Sequence, residues 1–179
     1  VIKRGDATIH ALASFSGPRG MRASQSGIDL INRYEQFSAT LYDHDGTAGN
    51  TTIGWGHLVH SGNINQSSSE EKFKNGITKI EAENLLRGDL VTAEGEVNSS
   101  VRVPVAQGQF DALVSLAFNL RRREFMSSTL LKLINRGDYI GALRQFDRWV
   151  RVEIRSGNFE TSRGLQDRRR SEEELFQRR

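Results

Sequence analysis

Apolar positions along the chain change period several times, and each change marks an element. Ile28, Ile31 and Glu35 fall at i, i+3 and i+7, one helical face, while Leu30, Tyr34 and Phe37 occupy the other side. Ser26 followed by Asp29 reads as a capping box opening this helix, which leaves Glu35 near its C-terminal end on an otherwise apolar face. The β-formers Thr40-Leu41-Tyr42 and Thr51-Thr52-Ile53 then flank a segment rich in Asp, Gly and Asn, which predicts a β-hairpin with a long loop. Residues 61–76 carry no apolar period and are expected as a surface insertion.

Thr78 and Glu81 form a second capping box, opening a long helix that runs to about Ser99 with Pro104 beyond it. Phe110, Leu113, Val114, Ala117 and Phe118 keep the i, i+3, i+4, i+7, i+8 spacing of a core helix. Ser127 or Ser128 caps the next helix, through Asn135, and Gly137 stops it. A further helix is expected from Asp138 to Val150 and a last one from about Gln166 to Gln177. Residues 1–25 show no sustained period and are read as a linker or N-terminal arm, with one domain over 26–179. The class is α+β: a small N-terminal β-hairpin lobe and a larger helical lobe joined by a long helix.

Composition narrows the picture. The chain has 179 residues, 36% of them hydrophobic, enough for one domain with a real core. Net charge is +3, a modest basic excess that suits an anionic partner such as a wall polymer. No nucleic-acid motif accompanies that excess, so no nucleic-acid partner is expected. There is no cysteine, which excludes disulfides, a thiolate nucleophile and cysteine-zinc sites. No apolar run reaches membrane-spanning length, so no membrane span is expected, and the start is a poor signal peptide. The chain begins at Val1, and is expected to be a fragment, a processed chain or one module of a longer protein.

The chemistry concentrates in Glu35–His57. A carboxyl on an apolar helix face is costly to ionise, which makes Glu35 a candidate proton donor. Asp43 and Asp45 follow in a wetter, hydroxyl-rich loop and would stay ionised. Two carboxyls in such contrasting settings are the arrangement of glycoside hydrolysis. Thr51 or Thr52 on the return strand would hold a water. Taken singly, a Glu at a helix end is more often a salt-bridge partner, and Asp with Gly is ordinary turn chemistry. The four histidines show no HExxH pattern, so no metal is expected.

Together these residues resemble the phage-type lysozymes of glycoside hydrolase family 24, also called endolysins or muramidases. The resemblance rests on Glu35 at the end of the first helix, an Asp in the following hairpin, and Thr52-Ile53-Gly54-Trp55-Gly56-His57. It extends through Asp89-Leu90, Val103-Pro104-Val105, Gln109–Leu113, Phe118-Asn119, Ser127–Leu130 and the run Arg168-Arg169…Glu172…Leu175-Phe176. It implies a lysozyme-like catalytic domain that cleaves the β-1,4 bond between N-acetylmuramic acid and N-acetylglucosamine in peptidoglycan, without a cofactor. Glu35 would be the acid. Position 44, where the resemblance implies the base, is His44, flanked by Asp43 and Asp45. Asp45 is favoured, because six residues then separate it from Thr52, with Asp43 in reserve. Thr52 would assist, and Tyr42, His57, Asn119, Ser127 and Ser128 would contact substrate, His57 also supporting the hairpin or Glu35. Arg121-Arg122-Arg123 stands where many relatives carry small residues and glycine, which bears on the shape of the cleft.

The resemblance further implies a monomer made in the cytoplasm that acts on the wall in the periplasm of the target bacterium. It would be released by a holin as a phage endolysin, or secreted as an antibacterial effector with an immunity protein as partner. Arg163, Arg168, Arg169 and Arg170 would attract the anionic wall, or else bridge helix ends. Two alternatives remain at this stage: a lytic transglycosylase, which needs chiefly the Glu, and a lysozyme-fold module that only binds peptidoglycan.

Overall fold

The computed structural model describes residues 17–43, 49–155 and 157–178. Asp45 and His44 lie outside the described residues, as does most of the segment read as an N-terminal arm. The chain order is α1 (Gln25–Tyr34), β1 (Ser38–Asp43), β2 (Asn50–Gly54), β3 (His57–Ser61), a 3-10 helix (Ser68–Phe73) and α2 (Lys79–Ser100). Then come α3 (Gln107–Asn119), α4 (Arg122–Ser127), α5 (Thr129–Ile134), α6 (Tyr139–Leu143), a 3-10 turn (Phe146–Arg148), β4 (Arg151–Arg155), β5 (Asn158–Thr161) and α7 (Arg163–Phe176).

The helical lobe is built around α3. Its side chains from Phe110 to Ala117 are buried, and it packs against α1, α2 and α7. Ile28 and Ile31 of α1, Leu86, Leu90 and Val97 of α2, and Phe176 of α7 close on it. Each large apolar side chain taken wholly out of water contributes about 2 kcal/mol, so Phe110, Leu113, Val114 and Leu116 make α3 a principal contributor to the lobe's cohesion.

The sheet lobe is an antiparallel sheet in the order β1-β2-β3, with Tyr42 opposite Thr52, Asp43 opposite Thr51, and Ile53 opposite His57. The expected hairpin therefore gains a third strand. The 61–76 stretch is also more than an insertion: Ser67 and Glu70 cap its 3-10 helix reciprocally, and Phe73 is buried. Glu70 accepts from the amides of Asn65, Gln66 and Ser67 and faces His60 Nε2 at 2.8 Å. No apolar period signals this element because its order comes from one buried carboxylate.

Helix α2 joins the lobes and is about 33 Å long. The expected capping box opens it: Thr78 Oγ1 accepts from the Glu81 amide and Glu81 Oε2 accepts from the Thr78 amide. Gly54 ends β2 at φ +66°, and a Cβ there would sit 3.0 Å from Ala82 Cβ, so glycine lets the sheet lie directly on α2. His57 Nδ1 meets both oxygens of Asp89 at 3.0 Å and fastens β3 to the middle of the same helix.

Other element assignments also differ from the sequence reading, among them α4, which was not expected. Helix α1 begins at Gln25, with Ser24 and not Ser26 at its N-cap, and the Ser24 hydroxyl donates to Asp111 of α3 instead of capping the helix. The helix expected over 138–150 is only α6 plus a short 3-10 turn. The chain then forms the β4–β5 hairpin, and α7 starts earlier than expected, at Arg163. Ahead of α1, the Met21 amide donates to Asn98, that of Ala23 to Glu94 and that of Ser24 to Asp111, so these residues are tied to α2 and α3. Among the described residues no helix is long and apolar enough to cross a membrane.

Candidate active site

Glu35 is the residue on which α1 ends. Its backbone is extended (φ −99°, ψ 134°) while its amide still donates to the Ile31 carbonyl. The chain turns there from the helical lobe towards the sheet, which carries the carboxylate to the junction. Two cavities meet at it. One, of about 270 Å³, is lined by Glu35, Tyr42, Asn50, Thr52, Gly56 and Leu58 of the sheet lobe. The other, of about 350 Å³, is lined by Tyr34, Glu35, Asn119, Val152, Ser162, Gly164, Leu165 and Arg168. Glu35 is thus shared by both halves of one cleft between the lobes.

The surroundings of Glu35 correct the sequence reading. Its side chain is 28% exposed and does not face apolar neighbours alone: Arg168 Nη1 donates to Oε1 at 2.9 Å. The other oxygen turns towards Gly56, where a Cβ would come within 4.0 Å of Oε2. Gly56, at φ +81°, adopts a turn open to glycine and adds no side chain in front of that oxygen.

Arg168 is itself held from behind. Its guanidinium is buried and its Nε reaches Glu172 Oε1 at 3.4 Å. Arg169 Nε lies 2.9 Å from Glu172 Oε2, and its Nη2 donates to Glu172 and to Asn119 Oδ1, both at 3.0 Å. The Ser115 hydroxyl donates to Glu172 Oε1 at 2.7 Å. Burial pushes the Glu172 carboxyl up, against the pull of Arg169 and Arg168, and burial lowers Arg169 against the pull of Glu172. The two guanidiniums and the carboxyl groups of Glu35 and Glu172 form one connected network beneath the cleft. Arg168 and Arg169 are therefore not the exposed wall-attracting cations expected from sequence; they take the other expected role and tie α7 to the ends of α1, at Glu35, and of α3, at Asn119. The signal was present: Arg168, Glu172, Leu175 and Phe176 share the i, i+4, i+7, i+8 stripe that faces the core.

On the sheet side, Thr52 is buried and its hydroxyl donates to the Asn50 carbonyl at 2.6 Å, leaving an acceptor for a water in the cavity. Burial, and secondly the charge of Glu35, raise the Tyr42 phenol. Asp43 is next to Tyr42 on β1 and so points to the opposite face from the residue that lines the cavity. Its Oδ1 is buried with no hydrogen-bond partner among the described residues.

The remaining expected contacts divide. Asn119 lines the second cavity, with its oxygen engaged by Arg169. His57 is spent on Asp89, away from both cavities' linings. The Ser128 hydroxyl caps α5 by accepting from the Leu131 amide at 3.1 Å, and the Ser127 hydroxyl donates to the Arg123 carbonyl at 2.7 Å. Neither serine lines the cleft beside Glu35.

A helix-end carboxylate at the floor of a cleft between a small sheet and a helical lobe is the arrangement of a lysozyme-type glycoside hydrolase. The family model of phage lysozymes matches residues 32–172. The chain is 37% identical over 157 residues to an endolysin of Acyrthosiphon pisum secondary endosymbiont phage 1, covering 88% of this chain and 99% of that one. It is 36% identical over 156 residues to the endolysin of Bacillus phage PZA, covering 87% of this chain and 55% of that longer relative. Among solved structures, the muramidase domain of SpmX from Asticaccaulis excentricus superposes with a TM-score of 0.74 at 31% identity, covering 88% of this chain and 99% of that one. The chain belongs to the phage lysozyme family.

Proposed function

We propose that this lysozyme hydrolyses the glycan strands of bacterial peptidoglycan at the β-1,4 bond between N-acetylmuramic acid and N-acetylglucosamine. The observation that carries the reading is the position of Glu35, common to both halves of the cleft and held there by Arg168. With Oε1 engaged by Arg168, Oε2 is the oxygen free to give its proton to the leaving sugar. Thr52, with its hydroxyl proton committed to Asn50, accepts from the attacking water and aims its lone pair at the sugar. Asp45 is the base that activates this water, preferred over Asp43, which faces away from Tyr42. Carboxyls roughly 6.5–9.5 Å apart admit such a water and give inversion. Tyr42 and Asn119 flank the strand on the two sides.

The endolysin relatives favour action on the wall as a lytic enzyme over delivery as an effector with an immunity protein. Action as a monomer on the periplasmic side fits that role.

Digestion of purified peptidoglycan, read by mass spectrometry, tests the reading. Fragments with reducing N-acetylmuramic ends are expected from the wild type, and none from Glu35→Gln, whose melting temperature stays near that of the wild type. Anhydro-muramic ends would reject water as the acceptor. Undiminished cleavage by Glu35→Gln would remove Glu35 from the mechanism.

A further inference from the structure

Outside the catalytic cleft, where two helices of the larger lobe end side by side, lies a cavity of about 420 Å³. Helix α2 ends at Ser100 and α5 at Ile134, and Asn135 stitches the two ends together. Its Oδ1 accepts from the Arg102 amide at 2.7 Å, and its Nδ2 donates to the Ser100 carbonyl at 2.9 Å. The cavity shares no lining residue with either half of the cleft at Glu35. Small-ligand sites span roughly 300–1,000 Å³, so it is large enough to hold one.

Its lining is cationic. Arg102, Lys132 and Arg136 border it, and no carboxylate does. Among the described residues none of these three side chains has an ion-pair or hydrogen-bond partner. The acids nearest in sequence are engaged elsewhere: Glu96 lies 3.8 Å from Arg122, and Asp138 Oδ1 accepts from the Gly141 amide. Cations gather at helix C-termini because the carbonyl ends attract them. That attraction does not occupy these three, since the Ser100 carbonyl is already taken by Asn135. The Ser100 hydroxyl is an independent sign. Ser100 is 8% exposed and lines the cavity, and its Oγ is buried with no hydrogen-bond partner among the described residues. A buried hydroxyl left unpaired is costly and calls for a partner in the space it borders.

We propose that this cavity binds a phosphate ester. Arg102 and Arg136 present planar forks that match phosphate oxygens, Lys132 adds a point charge, and the Ser100 hydroxyl donates to a remaining oxygen. A carboxylate, with one charge and two oxygens, would leave part of this donor set unused. The cavity is larger than a bare phosphate, and Met126 and Leu131 offer apolar surface to the carbon chain of an ester. No aromatic ring lines it, so there is no platform for a nucleobase. A soluble phosphate ester and the phosphate of a lipid headgroup share this chemistry. The site stands apart from the muramidase reading of the cleft.

Titration of the isotope-labelled enzyme with glycerophosphate, followed by amide NMR at fixed ionic strength, tests the proposal. The shifts should saturate and centre on Ser100, Arg102, Lys132 and Arg136. Affinity should fall about tenfold in Lys132→Gln and in Arg136→Gln, each of which loses a charge-assisted contact, and about threefold in Ser100→Ala. Melting curves check that each variant folds, and that of Ser100→Ala should not fall below the wild type, because the hydroxyl removed has no partner in the free protein. Sedimentation with phosphatidylglycerol vesicles separates the two sources. Wild type that binds the vesicles and is displaced by glycerophosphate assigns the site to a lipid headgroup. Wild type that saturates with glycerophosphate and ignores the vesicles assigns it to a soluble ester. Affinity unchanged across the three variants, shifts spread over arginines elsewhere, or a titration that does not saturate overturns the site.

Discussion

Arg168 Nη1 donates to Glu35 Oε1 across the floor of the cleft at 2.9 Å, joining residues 133 positions apart in sequence. The pair links the first helix to the last. Its guanidinium is nearly sealed, at 4% side-chain exposure, while the carboxylate keeps 28%. The acid is thus positioned by a cation that is itself fixed by Glu172.

Arg168→Met should consequently do two things. It leaves Glu172 with one cation fewer in a buried site, a loss of about 3 kcal/mol of stability by urea unfolding. It also frees Glu35 to rotate, so kcat on peptidoglycan should fall more than KM rises. Arg168→Lys keeps the charge but not the planar fork, and should recover stability only in part. A variant with full kcat would show that the pair does not position the acid.

The two aspartates should separate cleanly. Asp45→Asn should lower kcat by about a thousandfold, the scale of a lost general base. Asp43→Asn should leave most of the activity, since Asp43 neighbours Tyr42 on β1 and faces the other way. The reverse order in a turbidity assay on bacterial walls would move the base to Asp43.

His60 and Glu70 give the sheet lobe its own pH dependence. The Asn65 amide first, then His60 and the amides of Gln66 and Ser67, hold the Glu70 carboxyl down at about 2, against an ordinary value of 4.5. His60 is raised from 6.5 because its ring nitrogens face two acceptors, the Ser61 carbonyl and Glu70. The depressed acid stabilises above pH 4.5, and its contribution is lost as pH falls from there through about 2. The raised histidine stabilises below 6.5, and its contribution is lost as pH rises through its elevated folded value. The melting-temperature gap between wild type and Glu70→Gln should therefore be widest between pH 4.5 and 6.5 and narrow on both sides. A gap that does not vary with pH would show that the pair does not titrate with folding.

The parts of the fold that sequence made legible are those with local signatures. Thr78 and Glu81 announce α2 because a capping box is written within four residues, and Phe110 to Phe118 announce α3 because one stripe is apolar. Glu35 was legible as a residue but not in its surroundings, since Arg168 arrives from the far end of the chain. The 3-10 helix at Ser68–Phe73 was hidden because Glu70, not an apolar period, orders it. The hairpin β4–β5 was hidden by Ile140, Leu143, Phe146 and Trp149, whose spacing imitates one long helix, although Arg151–Arg155 already alternates charged and β-branched residues. His57 pairs with Asp89 and Ser128 with the end of α5, and both partnerships depend on the folded chain rather than on spacing.

The clasp formed by Met21, Ala23 and Ser24 on Asn98, Glu94 and Asp111 governs how mechanical load enters the molecule. Tension on the chain ahead of Gly20 is passed to α2 and α3 before it can reach α1. The sheet lobe lies off that path, attached through α2 and the short passage after Glu35. A load entering there would fall on the helical lobe and leave the sheet lobe outside its path.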